Sequence, residues 1–248
     1  MKKTLIFAHR GANKEAPENT CSAFDKALAY PIEGMETDIQ LTRDEVSVLW
    51  HDRFLGKVRL PDKYIDDFDY SQLREMNFGA HYSAEKSHES IVSLNEFLET
   101  YRTRCRLLLE IKNREWELTE RHQIKIRQTL DRVGEITDDR ILVSSFNLAS
   151  LEYGHQYRPD ALLVYNFEAE QTLDDAQRVL DEQSFLHGLC LPVSSLNQDV
   201  VKLLRDQQKC LAVYTCNSAH EIGLALEFGV NILISDVPQR ALQLRGDY

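Results

Sequence analysis

Short apolar segments recur along the chain and alternate with longer segments in which apolar residues return every three or four positions. The short segments are rich in Val, Ile, Leu and Phe and are bounded by polar or turn residues, which is typical of strands buried on both faces. Eight strands are predicted, at residues 4–8, 34–39, 106–111, 141–146, 161–167, 185–191, 210–215 and 230–235.

Helical patterns lie between most of these strands. The predicted helices are residues 19–29, 94–101, 116–133, 148–155, 173–182, 198–206 and 219–228. Strands that alternate with helices form parallel sheets, and eight strands close a (β/α)₈ barrel, the TIM barrel of the α/β class. The rival architecture is a doubly wound open sheet, but no Gly-x-Gly-x-x-Gly follows the first strand. With no linker or low-complexity segment, residues 1–248 are predicted to form a single domain.

Two segments depart from plain alternation. After the second predicted strand, residues 46–50 carry apolar side chains at alternate positions, which predicts a β-hairpin that turns near Asp44. The return strand would bring His51 to about the level of Asp38. Residues 54–91 then form a mostly polar stretch, longer than typical connections, and are predicted to be a small insertion beside the barrel rim.

Charge narrows the choice of partners. The formal net charge is −11, which disfavours nucleic acid and anionic membranes because both attract cationic surfaces. We therefore expect a small-molecule substrate, no nucleic acid and no stable membrane insertion. Charged residues of the predicted helix 116–133, among them Arg121, Lys125 and Arg127, are expected on a solvated outer face.

The cysteines and the first residues of the chain indicate the cellular compartment of the protein. The five cysteines contain no Cys-x-x-Cys pair, a pattern that fits reduced thiols better than disulfides or a zinc site. The first apolar run ends at His9 after five residues, shorter than a secretory signal requires. A cytoplasmic protein is therefore expected.

Carboxylates lie at the ends of the second and third predicted strands. Glu36 and Asp38 are two positions apart, so their side chains point to the same side of the sheet, and Glu110 with Lys112 repeats the pattern. Converging carboxylates repel one another unless they share a cation or a proton, and an oxygen-rich site suits Mg²⁺ or Ca²⁺. The alternative is a buried ion-pair network, with Glu36 paired to Lys112 and Glu110 paired to Arg10.

Two histidines and two cations belong to the same rim. His9 and Arg10 directly follow the first predicted strand, where the active groups of a parallel barrel collect, and His51 returns to that rim along the hairpin. Imidazoles have an unperturbed pKa near ~6.5, which suits proton transfer at neutral pH. Arg10 and Lys112 are suited to binding a phosphate. Together these groups are consistent with cleavage of a phosphodiester.

Several motifs occur in an order that resembles the glycerophosphodiester phosphodiesterase family. The motifs are His9-Arg10-Gly11, Pro17-Glu18-Asn19-Thr20, Glu36-x-Asp38, His51-Asp52, Leu109-Glu110-Ile111-Lys112, Ser144-Ser145-Phe146 and Ser235-Asp236-x-Pro238. The similarity runs from the first predicted strand to the last. It implies a (β/α)₈ fold, dependence on a divalent metal, and hydrolysis of glycerophosphodiesters to glycerol 3-phosphate and an alcohol.

The resemblance also implies residue roles, carried over by position. They are metal ligation by Glu36, Asp38 and Glu110, acid–base catalysis by His9 and His51, and phosphate binding by Arg10 and Lys112. By resemblance and position, His9 is assigned as the base and His51 as the acid. The resemblance also implies that the enzyme is a phosphoric diester hydrolase.

Departures from the family pattern concern the substrate pocket. Tyr214 replaces a usual Trp and is expected to contact the substrate, and Leu-Gly-Lys-Val-Arg at residues 55–59 replaces a usual Arg-Thr. Two alternative functions remain at this point. One is phospholipase D-like cleavage that leaves a cyclic phosphate, and the other is a non-catalytic barrel that binds phosphodiesters.

Overall fold

The structure is a computed structural model that describes residues 3–82, 88–115, 117–134 and 140–247. Its strands are β1 Leu5–His9, β2 Gly34–Leu41, β3 Ser47–Leu49, β4 Arg106–Ile111, β5 Ile141–Ser145, β6 Leu163–Asn166, β7 Gly188–Pro192, β8 Cys210–Tyr214 and β9 Ile232–Ser235. All except β3 pair in parallel, and β1 pairs with both β9 and β2. The sheet is thus a closed eight-stranded barrel. The predicted TIM barrel is confirmed, and the open sheet is wrong because closure leaves it no edge.

Helices lie between the strands on the outside of the barrel. They are α1 Cys21–Ala27, α2 Tyr70–Arg74, α3 Leu94–Tyr101, α4 Thr119–Val133, α5 Leu148–Tyr157, α6 Leu173–Glu182, α7 Gln198–Asp206, α8 Ala219–Phe228 and α9 Pro238–Arg245. The seven predicted helices are all present, while α2 and α9 were not predicted. Trp116, where one helix was predicted to begin, lies outside the described residues. Within the ranges described, none of these helices has the length and apolarity needed to cross a membrane.

Side-chain caps set where most of these helices begin. The N-terminal N–H groups of a helix lack partners inside it, and a Ser, Thr or Asn side chain at the N-cap can accept from one of them. Caps of this kind are made by Thr20, Ser93, Asn147, Thr172, Asn197 and Ser218. The cap explains why α1 starts at Cys21, two residues later than predicted.

The hairpin after β2 has the predicted geometry. Strand β2 is eight residues long, and its first part pairs with β1 while its last part pairs with antiparallel β3. The Trp50 amide donates to the Asp38 carbonyl at 3.0 Å. His51, which follows Trp50, therefore returns to the level of Asp38, as the reflection about the turn predicted.

The insertion after β3 has a small apolar cluster of its own. Buried Trp50, Leu55, Ile65, Leu73 and Phe78 belong to this cluster, which is separate from the cores inside and around the barrel. Its chain forms two short 3₁₀ turns and α2. Of the predicted insertion 54–91, residues 83–87 lie outside the described residues. Packing against β3 fixes the insertion beside the end of the hairpin that carries His51.

Candidate active site

A pocket of about 160 Å³ opens at the carboxyl ends of the barrel strands. Among its lining residues are His9, Arg10, Glu36, His51, Glu110, Lys112 and Tyr214. The remaining predicted site residue, Asp38, is fully buried and contacts Arg10 and Lys112. The structure thus brings all eight sequence-predicted residues into one site.

A sharp turn after β1 positions Arg10. Arg10 and Gly11 both have positive φ, +57° and +79°, a conformation that costs free energy for most residues. A Cβ atom on Gly11 would lie 2.6 Å from the backbone carbon of Ala23, so only glycine fits. The Arg10 amide donates to the Glu36 carbonyl at 3.0 Å, which anchors the turn to β2.

Three buried carboxylates form the floor of the site. Potential ligand oxygens of Glu36, Asp38 and Glu110 lie within 4.8 Å of one another. Glu36 Oε1 is buried and has no hydrogen-bond partner among the described residues. Burial, followed by the nearby Asp38 charge, raises the pKa of Glu36 well above its usual range. These features fit a hard divalent cation, which would satisfy the free oxygen and offset the repulsion.

Two cations share Asp38. Lys112 Nζ lies 3.0 Å from Asp38 Oδ1 and also contacts Glu110, while Arg10 Nε lies 3.1 Å from Asp38 Oδ2. Burial acts to raise the pKa of Asp38, but Lys112 and Arg10 outweigh it and hold that pKa well below the usual range. Asn19 adds a hydrogen bond to Asp38 Oδ2 at 2.9 Å.

A buried ion-pair network is present, but neither of the two predicted pairs is part of it. Lys112 pairs with Asp38 and Glu110 instead of Glu36, and Arg10 pairs with Asp38 and Glu18 instead of Glu110. Burial lowers the pKa of His9, so its imidazole 3.8 Å from Glu36 is neutral near pH 7. Glu36 therefore faces no permanent cation within ion-pair distance among the described residues. The Arg10 amide donates to Glu36 Oε2 at 3.3 Å, but the network of side chains gives this carboxylate no direct ion pair.

His9 is held by a carboxylate from the last strand. Its Nδ1 lies 2.6 Å from Asp236 Oδ1. Asn13 and Asn217 donate to Asp236 at 2.6 Å and 2.8 Å. Despite burial, these bonds and His9 push the pKa of Asp236 far below its usual range, so Asp236 is ionised and must accept from Nδ1–H. Nε2 of His9 then carries the free lone pair and lies on the Glu36 side.

His51 has a more open environment than His9. About a third of its side chain is exposed, and its Nδ1 lies 3.0 Å from Asp52 Oδ1. Asp52 Oδ2 lies 2.9 Å from Lys57 Nζ. Burial acts to raise the pKa of Asp52, but its bonds to His51 and Lys57 lower that pKa to about 2. A charged Asp52 therefore orients the His51 ring.

The opposite wall of the pocket is aromatic. Phe146 and Tyr214 meet edge to face at 6.0 Å, and Lys112 Nζ lies 5.8 Å from the centre of the Phe146 ring. The Tyr214 hydroxyl donates to the Phe167 carbonyl at 2.5 Å, so Tyr214 presents its ring to the pocket. Burial raises the pKa of this hydroxyl and keeps it protonated.

Some site residues were not predicted. Asp236, Glu18 and Phe146 all stand in motifs noted in the sequence, but no role was attached to them. The signal for Asp236 was its place after the last strand, at the rim where β1 also ends. The orienting carboxylate of His9 could have been sought there.

Comparison with known proteins identifies the family of the chain. The model of the "Glycerophosphoryl diester phosphodiesterase family" matches residues 9–240. A glycerophosphodiester phosphodiesterase of Bacillus altitudinis is 29% identical over 98% of both chains. A phosphodiesterase of Oleispira antarctica, solved in complex with the product sn-glycerol-3-phosphate, superposes with a TM-score of 0.81 at 25% identity, covering 98% of this chain and 96% of that one.

A glycerophosphodiester phosphodiesterase of Parabacteroides distasonis shares the fold. Its TM-score is 0.79 at 21% identity, over 99% of this chain and 98% of that one. Because the family match extends over nearly all of the barrel, the chain belongs to the glycerophosphoryl diester phosphodiesterase family and is a phosphoric diester hydrolase.

Proposed function

We propose that this enzyme hydrolyses glycerophosphodiesters to glycerol 3-phosphate and an alcohol, with a divalent metal ion and two acid–base histidines. The observation that carries the proposal is the buried group of Glu36, Asp38 and Glu110, with an unsatisfied Glu36 oxygen, in the pocket that both histidines line. The product in the Oleispira antarctica phosphodiesterase, glycerol 3-phosphate, supports the same product here.

Arg10 and Lys112 are the proposed phosphate ligands. Both line the pocket, and neither approaches Glu36 within ion-pair distance. Their two positive charges offset only two of the three carboxylates, so a monoanionic diester would not bind favourably to these side chains alone. Arg10 offers several donors in a planar fork, and Lys112 a point charge, for the non-bridging oxygens.

Glu36, Asp38 and Glu110 would hold the metal ion. Their carboxylate oxygens are the donors that Mg²⁺ and Ca²⁺ prefer, and we propose one of these two ions as the cofactor. When bound, the ion supplies positive charge that polarises the phosphoryl group and stabilises the charge developed in the transition state. The same positive charge gives the pocket a net attraction for the diester.

His9 is the proposed base. Because Asp236 occupies Nδ1–H, the Nε2 lone pair is available, and burial keeps the ring neutral and able to accept a proton. As the attacking oxygen bonds to phosphorus, its proton passes to His9 Nε2. That oxygen comes from water in direct hydrolysis and from a hydroxyl of the glycerol moiety if a cyclic phosphate forms first.

His51 is the proposed acid. As the bond from phosphorus to the alcohol oxygen breaks, His51 gives its proton to the departing alkoxide, and the ionised Asp52 stabilises the ring while it is protonated. The partly exposed position of His51 allows it to recover a proton from solvent. The atoms then balance as one water consumed, one phosphomonoester and one alcohol released.

Product identification tests the proposal. The purified enzyme is incubated with glycerophosphocholine, glycerophosphoethanolamine and glycerophosphoglycerol, with Mg²⁺, Ca²⁺ or excess chelator, and products are followed by phosphorus NMR. We expect glycerol 3-phosphate from at least one diester and loss of turnover in chelator. Full turnover in chelator, with metal shown to be absent, would contradict the metal assignment. A persistent cyclic phosphate would instead support the phospholipase D-like alternative.

Leaving-group dependence tests the division between the histidines. An alkoxide such as that of choline needs protonation, whereas p-nitrophenolate is stable near neutral pH. We expect His51→Ala to lose about 10²–10⁴-fold in kcat/KM on glycerophosphocholine but far less on bis(p-nitrophenyl) phosphate. His9→Ala should lose activity on both substrates. Equal losses for both variants on both substrates would refute the division, and a reversed pattern would exchange the two roles.

A further inference from the structure

A second group of metal-type ligands lies beside the proposed metal site, and a lysine is bound within it. Ligand atoms of Glu18, His51 and Asp52 lie within 4.8 Å of one another. Lys57 Nζ is 2.8 Å from Glu18 Oε1 and 2.9 Å from Asp52 Oδ2. Its ammonium therefore stands between the two carboxylates, where a divalent ion would otherwise offset their repulsion.

The two carboxylates that contact Lys57 each also contact a proposed active-site residue. Asp52 binds His51 Nδ1 at 3.0 Å through its other oxygen. Glu18 accepts from Arg10 Nη1, with 3.3 Å to each of its oxygens. One ammonium thus connects the proposed acid on the hairpin to the proposed phosphate ligand on the β1 turn, although the two lie 41 residues apart in sequence.

The insertion holds Lys57 in this position. Lys57 belongs to the 3₁₀ turn Gly56–Val58, which follows the fully buried Leu55. The ammonium also lies 5.8 Å from the centre of the Trp50 ring, in the apolar cluster of the insertion. Only 28% of the Lys57 side chain is exposed, so its position is set by packing as well as by charge.

We infer that Lys57 is a positioning residue that replaces a second metal ion: its ammonium fixes Asp52 behind His51 and Glu18 behind Arg10. The chain then binds a single divalent ion, at Glu36, Asp38 and Glu110, and uses the lysine to offset the charges of Glu18 and Asp52. The inference rests on the proposed function for its effect on catalysis and on the proposed metal site for the single ion in the wild type, but the change in ion count between variants does not depend on turnover.

Kinetics with two substrates test the positioning role. Lys57→Met should misplace Asp52 and weaken acid catalysis by His51, so we expect kcat/KM on glycerophosphocholine to fall about 10–100-fold and to fall much less on bis(p-nitrophenyl) phosphate. Lys57→Arg keeps the charge and should recover most of the loss. The control is Lys63→Met, which changes an exposed lysine of the same insertion and should behave as the wild type. No loss in Lys57→Met would overturn the positioning role. Equal losses on both substrates would overturn its action through Asp52 on His51 and leave only its action through Glu18 on Arg10.

Metal counting gives a readout that does not depend on turnover. In equilibrium dialysis with Mn²⁺, the wild type should bind one ion per chain and Lys57→Ala two, because the small side chain leaves the Glu18, His51 and Asp52 ligands free. Adding Glu18→Gln to Lys57→Ala should return the count to one. A count of one in Lys57→Ala would overturn the claim that the lysine replaces a metal ion. An inactive wild type with these counts would instead refute the proposed function alone.

Discussion

At the scale of single residues, the environment gives the two histidines different chemistry. His9 is buried against Asp236, which fixes its tautomer and leaves Nε2 free. His51 is partly exposed beside its sequence neighbour Asp52. From the sequence, the strand end and the hairpin placed the two histidines at one rim, and the family resemblance supplied their predicted roles. The Asp236 contact was missed because 227 residues separate it from His9, so it could be found only by pairing the ends of the first and last strands of the predicted barrel.

Asp236→Asn tests the importance of that contact. An asparagine amide can donate to Nδ1, which moves the imidazole proton to Nε2 and removes the lone pair that would accept a proton. We expect kcat/KM to fall about 100-fold or more on both alkyl and aryl diesters, because both need the proposed base to take the proton of the attacking oxygen. The matched control is Asp247→Asn, near Lys3 at the opposite end of the barrel, which should leave kcat/KM unchanged. Wild-type kinetics in Asp236→Asn would exclude a role for the carboxylate.

At the scale of elements, helix α4 supports the loop that follows β4. The mixed charges of this helix predicted a solvated face, and that prediction is wrong for Lys125, which is fully buried. Its ammonium donates to the Lys112 carbonyl and lies 3.0 Å from Glu117. Arg114, on the same loop, donates to the His51 carbonyl at 2.6 Å. Charge patterning could not reveal this because a buried ion pair and a solvated pair have the same sequence spacing.

Removing one member of the buried pair should destabilise the barrel. Burial lowers the pKa of Lys125, whereas bonds from His122 and Lys125 overcome burial and lower the pKa of Glu117 to about 2. Lys125→Met removes the cation at 3.0 Å and leaves Glu117 with longer contacts to His122 at 3.4 Å and Arg121 at 3.9 Å. We therefore expect a loss of about 1–3 kcal/mol in the free energy of unfolding, measured in urea.

A double variant and a surface control complete this test. Lys125→Met combined with Glu117→Leu should recover part of the loss, because no buried charge then remains unpaired. Lys202→Met removes an exposed pair with Asp206 and should leave the urea midpoint unchanged. If Lys125→Met unfolds at the same urea concentration as the wild type, the buried pair does not stabilise the protein.

At the scale of the whole molecule, the repeated unit of strand and helix made the barrel predictable. Each of the eight predicted strands corresponds to an observed one, and the hairpin and insertion fall where the alternation breaks. Helix α9 was missed because it follows the last strand, where no further strand made a helix necessary. Closure of the barrel also brings together carboxylates that are far apart in sequence, and their mutual repulsion acts against folding unless a cation or a proton offsets it.

The pH dependence of thermal stability tests whether Glu36 binds a metal ion. In the metal-free protein, the pKa of Glu36 is raised above its usual value of 4.5. The stability that Glu36 contributes is therefore fully present below pH 4.5, where the carboxyl is protonated, and is lost as the pH rises through the raised pKa.

Metal binding requires the charged carboxylate. The difference between the melting temperature in Mg²⁺ and that in chelator should therefore grow from pH 5 to pH 8, by roughly 2–4 °C per kcal/mol of linkage. Burial lowers the pKa of His9, which acts in the opposite direction in both curves. A metal ion bound to Glu36, 3.8 Å from His9, would lower that pKa further, so His9 adds to the growth of the difference with pH. Glu36→Gln should melt above the wild type in chelator at pH 8 and gain little from Mg²⁺. Parallel curves for the wild type with and without Mg²⁺ would show that Glu36 does not bind the ion.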